Sequence, residues 1–198
     1  MYQLTNEIFN RYITDFNDLI LDNLTYINTT SSTHGSINVL NNYVKSVTPT
    51  KCICYSCIEL IAAKEDRKYL KIEFTISYSD FYSVPKLHFR MYNNMDQLLL
   101  DMDQWDEYNE LLGMSPDNEE YKKDYTFTIE TNELLNSTWM SIHPCETLEV
   151  VGQFAETSIM EDDKEKIKAL KYLSSWFGTY GLTRIFPRIS YRPTFSGV

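Results

Sequence analysis

The residues with the clearest capacity for chemistry are His143, Pro144 and Cys145, at the end of an apolar run that begins at Trp139. A cysteine thiolate is a strong nucleophile toward a carbonyl carbon. In an extended chain, His143 and Cys145 point to the same face but lie about 7 Å apart. That separation is too large for the histidine to take the thiol proton directly, and Glu146 disfavours the thiolate. The spacing therefore does not predict a cysteine hydrolase.

The same residues suit a thiol that accepts an acyl group from another thioester and passes it to an amine. This exchange requires less activation of the sulfur than amide hydrolysis, but it requires a neutral hydrogen-bond donor near the thioester carbonyl. His143 is a candidate donor, and Pro144 biases it towards extended backbone. The alternatives are that Cys145 is a small buried core residue and that His143 is a strand residue hydrogen-bonded to solvent.

A second cluster of reactive side chains is formed by Cys52, Cys54 and Cys57. Three thiols in six residues could bind zinc with a fourth ligand from His34, His88 or Cys145. Structural zinc sites usually contain two spaced pairs, and the second pair is missing here. A strand with buried thiols explains the spacing equally well, so neither a metal nor a cofactor is predicted.

Length and composition limit the class of protein. A chain of 198 residues is long enough for one core, so we predict a single domain over residues 1–198. The net charge of −10 argues against a nucleic-acid partner, because the phosphate backbone would repel the chain. No apolar run reaches the about 20 residues that cross a bilayer. The first residues do not resemble a signal peptide, which predicts a cytoplasmic protein with reduced thiols.

The elements that must position these residues are indicated by hydrophobic periodicity. Residues 5–23 carry apolar side chains at helical spacing, which predicts an amphipathic helix. Residues 70–78 alternate between apolar and polar types, as do residues 87–92, which predicts an antiparallel hairpin with Phe81 and Tyr82 near its tip. Tyr82 could simply cap that hairpin.

The remaining segments complete an α+β pattern. We predict a loop over 28–36, strands over 43–50, 125–130 and the run that ends at Cys145, a turn over 132–137, a mostly helical segment over 96–112, an exposed connection over 114–124, a helix that begins near Ser158 with Glu161 in a capping box, and an irregular tail over 184–198. This order predicts an antiparallel sheet with helices on one side.

His143-Pro144-Cys145 resembles the His-Pro-Cys motif of the ubiquitin-conjugating-like enzymes of autophagy. Trp139 precedes the motif by four residues, Thr-Leu-Glu-Val-Val-Gly follows at 147–152, and the hairpin at 72–91 lies upstream. Together these features resemble the family of autophagy-related protein ten, over roughly residues 69 to 177.

The resemblance implies a ubiquitin-conjugating-like fold with additional strands. It also implies that the protein is a transferase. The implied donor is the activating enzyme, autophagy-related protein seven; the cargo is the ubiquitin-like modifier, autophagy-related protein twelve; and the acceptor is a lysine of autophagy-related protein five. Cys145 matches the thioester cysteine and Tyr82 a tyrosine near it. His143 replaces the asparagine of ubiquitin-conjugating enzymes, so it must be neutral, or suitably turned, to serve as the oxyanion donor. A location in the cytoplasm, with recruitment to the site of autophagosome formation, is also implied.

Two alternative functions remain at this stage. The sister family, autophagy-related protein three, transfers a ubiquitin-like modifier to phosphatidylethanolamine, but it is longer and has a membrane-sensing N-terminus. Residues 5–23 are net acidic, unlike a membrane-binding helix. The second alternative is a conjugating-enzyme-like scaffold that binds the acceptor without carrying cargo.

Overall fold

The computed structural model describes residues 2–28, 35–62, 69–114, 127–142 and 164–193. Its helices are α1 (Asn6–Asn23), a 3₁₀ helix (Met102–Tyr108), α2 (Asn109–Leu112), α3 (Lys164–Tyr180) and α4 (Leu182–Ile185). Its strands are β1 (Leu24–Tyr26), β2 (Gly35–Thr48), β3 (Lys51–Ala62), β4 (Tyr69–Ser79), β5 (Val84–Tyr92), β6 (Leu98–Leu99), β7 (Phe127–Asn132), β8 (Ser137–Ile142) and β9 (Ile189–Tyr191). Within these residues, no helix is long and apolar enough to cross a membrane.

One antiparallel sheet of seven strands organises the described chain. Its order is β2-β3-β4-β5-β8-β7, and β6 pairs with β5 outside this path. β4 and β5 form the predicted hairpin, in a register that places Phe74 opposite Phe89. The α+β class with an antiparallel sheet is therefore confirmed.

Helix α1 shows how local sequence determines an element. Thr5 caps its first turn by accepting a hydrogen bond from the backbone N–H of Ile8, at 3.3 Å. Its apolar stripe buries Phe9, Ile13 and Phe16, among others, against the sheet. The helix predicted over residues 5–23 is therefore confirmed, with Thr5 as the cap.

Helices α1 and α3 cover one face of the sheet, as predicted. Phe177 of α3 is fully buried and packs against aromatic rings of other elements, with centroid distances of 6.2 Å to Phe16, 6.2 Å to Phe74 and 5.1 Å to Tyr191. Edge-to-face and tilted pairs of this kind add to the free energy of apolar burial. The aromatic core therefore joins both helices to β4 and β9.

The segment 96–112 is less helical than predicted. Asp96 has a positive φ of 56°, and Leu98–Leu99 pairs with β5 before a 3₁₀ helix begins. Asp101 and Gln104 form a capping box at that helix. The apolar spacing was typical of a helix, but pairing with an available strand edge outweighed local propensity here.

The prediction of an irregular tail over 184–198 is wrong for its described part. Residues 182–185 form α4, and β9 pairs with β1 in a register that joins Tyr191 to Leu24. The partner strand is far away in sequence, so no local pattern indicated it.

Three further predictions differ from the structure in their boundaries. The strand predicted over 43–50 begins earlier, at Gly35, so the predicted loop over 28–36 ends sooner. β7 extends to Asn132, two residues beyond the predicted strand. The predicted helix start at Ser158 and Glu161 lies outside the described residues, and α3 is described from Lys164.

Candidate active site

The strand that leads to the predicted nucleophile is β8, which ends at Ile142, immediately before His143. His143 and Cys145 themselves lie outside the described residues, so their roles stay predictions. β8 runs antiparallel to β5, with Ser141 opposite His88. Ile142 therefore lies toward the end of β5 that begins at Val84.

Tyr82 belongs to the tight turn at that same end, between β4 and β5. Its backbone N–H donates to Ser79 Oγ at 3.4 Å, and Ser83 adopts a positive φ of 56°. The ring of the 86 % exposed Phe81 packs edge-on against that of Tyr82, with centroids 4.8 Å apart. The turn therefore presents two aromatic rings at the end of the sheet where β8 ends.

A cleft of about 390 Å³ lies between this turn and the β7–β8 hairpin. The turn contributes Asp80, Phe81 and Tyr82 to its wall, and the hairpin contributes residues 130–134. Lys86 and His88 of β5 form part of the same wall. The cleft thus brings one predicted site residue, Tyr82, together with a charged group that the sequence analysis did not predict.

That group is a cluster of Lys86, His88 and Glu130. Glu130 Oε1 lies 2.5 Å from Lys86 Nζ and 3.0 Å from His88 Nε2. His88 is only 6 % exposed, although it lies on the face of β5 that the sequence pattern indicated as polar. Its partner Glu130 is on another hairpin, so no local spacing could have revealed the cluster.

The cluster holds a neutral histidine beside a charged carboxylate. Burial, reinforced by the charge of Lys86, lowers the pKa of His88 to about 4, although Glu130 acts in the opposite direction. Burial would raise the pKa of Glu130, but hydrogen bonds from Lys86 and Ser141 and the charge of Lys86 lower it overall. At neutral pH, the Nε2 atom of a neutral His88 therefore lies 3.0 Å from an ionised Glu130.

We expect His88 to make the folded state less stable in acid. The unfolded chain binds a proton at His88 near its ordinary pKa of 6.5, whereas the folded chain resists protonation until about 4. From about pH 7.5 to about pH 5, this difference should lower the free energy of unfolding by about 2 kcal/mol. Urea unfolding at several pH values should show a flatter pH dependence for His88→Gln than for wild type. His34→Gln is the control, and an unchanged slope for His88→Gln would contradict the assignment.

The three clustered cysteines do not converge on one point. Cys54 lies opposite Ile76 on the core face, where it donates to Asn17 Oδ1 at 2.7 Å. Cys57 lies opposite Glu73 on the outer face. Burial raises the pKa of Cys54 to about 12 and also raises that of Cys57. Thiols on opposite faces cannot bind one zinc ion together, which argues against the zinc alternative for this segment.

Two comparisons with known proteins indicate the same family. Residues 26–191 match the family model described as "Autophagocytosis associated protein, active-site domain". The chain is also 30 % identical, over 190 residues, to the ubiquitin-like-conjugating enzyme ATG10 of Candida albicans. That alignment covers 96 % of this chain and 92 % of the relative.

Proposed function

This chain belongs to the ATG10 family of ubiquitin-like-conjugating enzymes of autophagy, and from that premise we propose that Cys145 carries a ubiquitin-like modifier as a thioester. The observation that most supports this is the place of His143-Pro144-Cys145, directly after β8 and inside the residues matched by the active-site domain. Cys54 and Cys57 argue for Cys145 by contrast, because burial raises the pKa of both.

The proposed reaction has two steps. First, the Cys145 sulfur attacks the carbonyl carbon of the thioester that joins the modifier to its activating enzyme. A new sulfur–carbon bond forms, the old one breaks, and the activating enzyme's sulfur leaves as a thiol with the proton from Cys145. Second, an acceptor lysine amine attacks the same carbonyl; an isopeptide bond forms, and Cys145 leaves as a thiol with a proton from the amine.

His143 and Tyr82 are the proposed helpers at this carbonyl. A neutral His143 would donate a hydrogen bond to the oxyanion that develops in both steps. Tyr82 is proposed to lie near the thioester. This is supported by the antiparallel run of β8 along β5, because it directs the end of β8 towards the turn that holds Tyr82.

The proposed partners follow from the family resemblance. Autophagy-related protein seven would supply the modifier, autophagy-related protein twelve would be the modifier, and autophagy-related protein five would provide the acceptor lysine. The proposed place of action is the cytoplasm, with recruitment to the site of autophagosome formation.

Incubation with the activating enzyme, the modifier and ATP tests the proposal. We expect a modifier adduct on non-reducing gels that disappears on treatment with a reducing agent, because a thioester is cleaved by excess thiol. Cys52→Ser should form the same adduct, since Cys52 belongs to β3 and not to the proposed site. Absence of any thiol-sensitive adduct with the wild-type chain would contradict the proposal.

The acceptor is tested separately, once the adduct exists. The loaded chain is offered either autophagy-related protein five or vesicles that contain phosphatidylethanolamine. Transfer to the protein supports the proposed acceptor, whereas transfer to the lipid alone would identify the sister activity.

A further inference from the structure

Strand β8 has an unusually short attachment to the main sheet. It is in register with β5 only where Ser141 faces His88 and Met140 faces Phe89. Beyond Arg90, the residues Met91 and Tyr92 of β5 pair with β6 instead. β6 therefore occupies the edge along which the rest of β8 would otherwise have continued.

The β7–β8 hairpin continues the sheet beyond β5, and the Asn132 end of β7 reaches over the outer face of the sheet to β4. Asn132, at the end of β7, is buried and donates to Thr75 Oγ1 of β4 at 3.1 Å. Thr75 is fully buried as a result, although it lies on the face opposite the helices. Because backbone pairing between β8 and β5 is confined to two residue pairs, side-chain contacts with the sheet contribute to how this hairpin lies.

Contacts from Arg90 and from Glu130 add to the attachment that Asn132 provides. Arg90 Nε donates to the carbonyl oxygen of Thr138 at 2.6 Å, and its guanidinium lies 4.1 Å from the ring centroid of Trp139. The Glu130 carboxylate of β7 contacts both Lys86 and His88 of β5. The contact between Glu130 and His88 lies at Ser141, because His88 is the residue of β5 opposite Ser141. Ser141 is one residue before the end of β8, which continues into the proposed site.

We propose that Glu130 is a positioning residue: its contacts with Lys86 and His88 fix the end of β8, and thereby the place at which the chain delivers Cys145. This inference rests on the proposed function of Cys145. The Lys86 side chain is 18 % exposed and that of His88 7 % exposed, so water screens these contacts less than surface ion pairs. A small misplacement of a reacting group strongly lowers the rate of its reaction. Loss of the contacts of Glu130 with Lys86 and His88 should therefore slow the transfer of the modifier.

The test compares three variants of the full chain. Glu130→Ala removes the contacts with Lys86 and His88. Glu130→Gln retains a side-chain oxygen that can accept a hydrogen bond from either residue. Glu133→Ala is the matched control, because Glu133 is an exposed carboxylate that lines the same cleft. A role for cleft carboxylates in binding the acceptor would affect Glu133→Ala as well, whereas a positioning role would not.

Hydrogen exchange provides a readout that does not depend on conjugation. We expect the amides of Ser137–Ile142 to exchange roughly tenfold faster in Glu130→Ala, with those of β3 unchanged. Glu133→Ala and Glu130→Gln should resemble wild type. Unchanged exchange of β8 in Glu130→Ala would overturn the inference even if the conjugation proposal holds.

Single-turnover discharge of the modifier from Cys145 to the acceptor supplies the second readout. Glu130→Ala should lower the maximal rate roughly tenfold to a hundredfold, with the half-saturating acceptor concentration unchanged. Glu130→Gln should restore most of the rate. Faster exchange without slower discharge would overturn the positioning role, and failure of wild type to form any thioester would overturn the proposed function itself.

Discussion

Cys145→Ser is expected to accept the modifier as an oxygen ester that reducing agents do not cleave, and to transfer it to the acceptor at least roughly a thousandfold more slowly than wild type. The reason is chemical: a serine oxygen is a poorer leaving group than a cysteine sulfur, so attack by the acceptor amine on the ester is slower. Gels run with and without reducing agent detect the stable ester, and a time course of acceptor conjugation gives the rate.

Two further variants decide how this result is interpreted. Cys57→Ser should conjugate at the wild-type rate, because Cys57 lies on the outer face of β3 opposite Glu73 and has no proposed role. Cys145→Ala should not conjugate at all. Full conjugation by Cys145→Ala would favour a scaffold that binds the acceptor without carrying cargo.

The second large effect is expected in the aromatic core. Phe177→Ala should lower the free energy of unfolding by about 3–5 kcal/mol, because it leaves a cavity between helices α1 and α3 and the sheet. Phe177 is fully buried and contacts the rings of Phe16, Phe74, Trp176 and Tyr191. Denaturant unfolding at neutral pH gives the difference directly from the transition midpoint.

Phe81→Ala is the matched control for this prediction, since it removes the same side chain from an exposed turn. Phe81 is 86 % exposed, so its loss should change the free energy of unfolding by no more than about 0.5 kcal/mol. Equal destabilisation by the two variants would show that Phe177 is not a core residue. Phe81 also lines the proposed cleft, so its variant serves here as a control of stability only.

Local sequence patterns were sufficient for α1 and for the β4–β5 hairpin. In both, the determining residues lie within one short segment: a capping Thr5 with a helical apolar stripe in α1, and alternation on both sides of a tight turn in the hairpin. The hairpin also placed Tyr82 near its tip, as the structure has it. The prediction of a mostly helical segment over 96–112 was less accurate, because pairing with the edge of β5 competed with the helical pattern.

The sequence by itself determined the family resemblance, the α+β class and the candidate nucleophile, because each depends on residues that are neighbours along the chain. Only the tertiary structure decided that β9 pairs with β1 and that Asn132 of the β7–β8 hairpin reaches Thr75 of β4 over the outer face. It also decided that His88 is buried beside Glu130. The physical reason is the same in each case: burial and the pairing of charges depend on which distant segments meet in space, and a side chain on a polar face becomes buried only when another hairpin covers it.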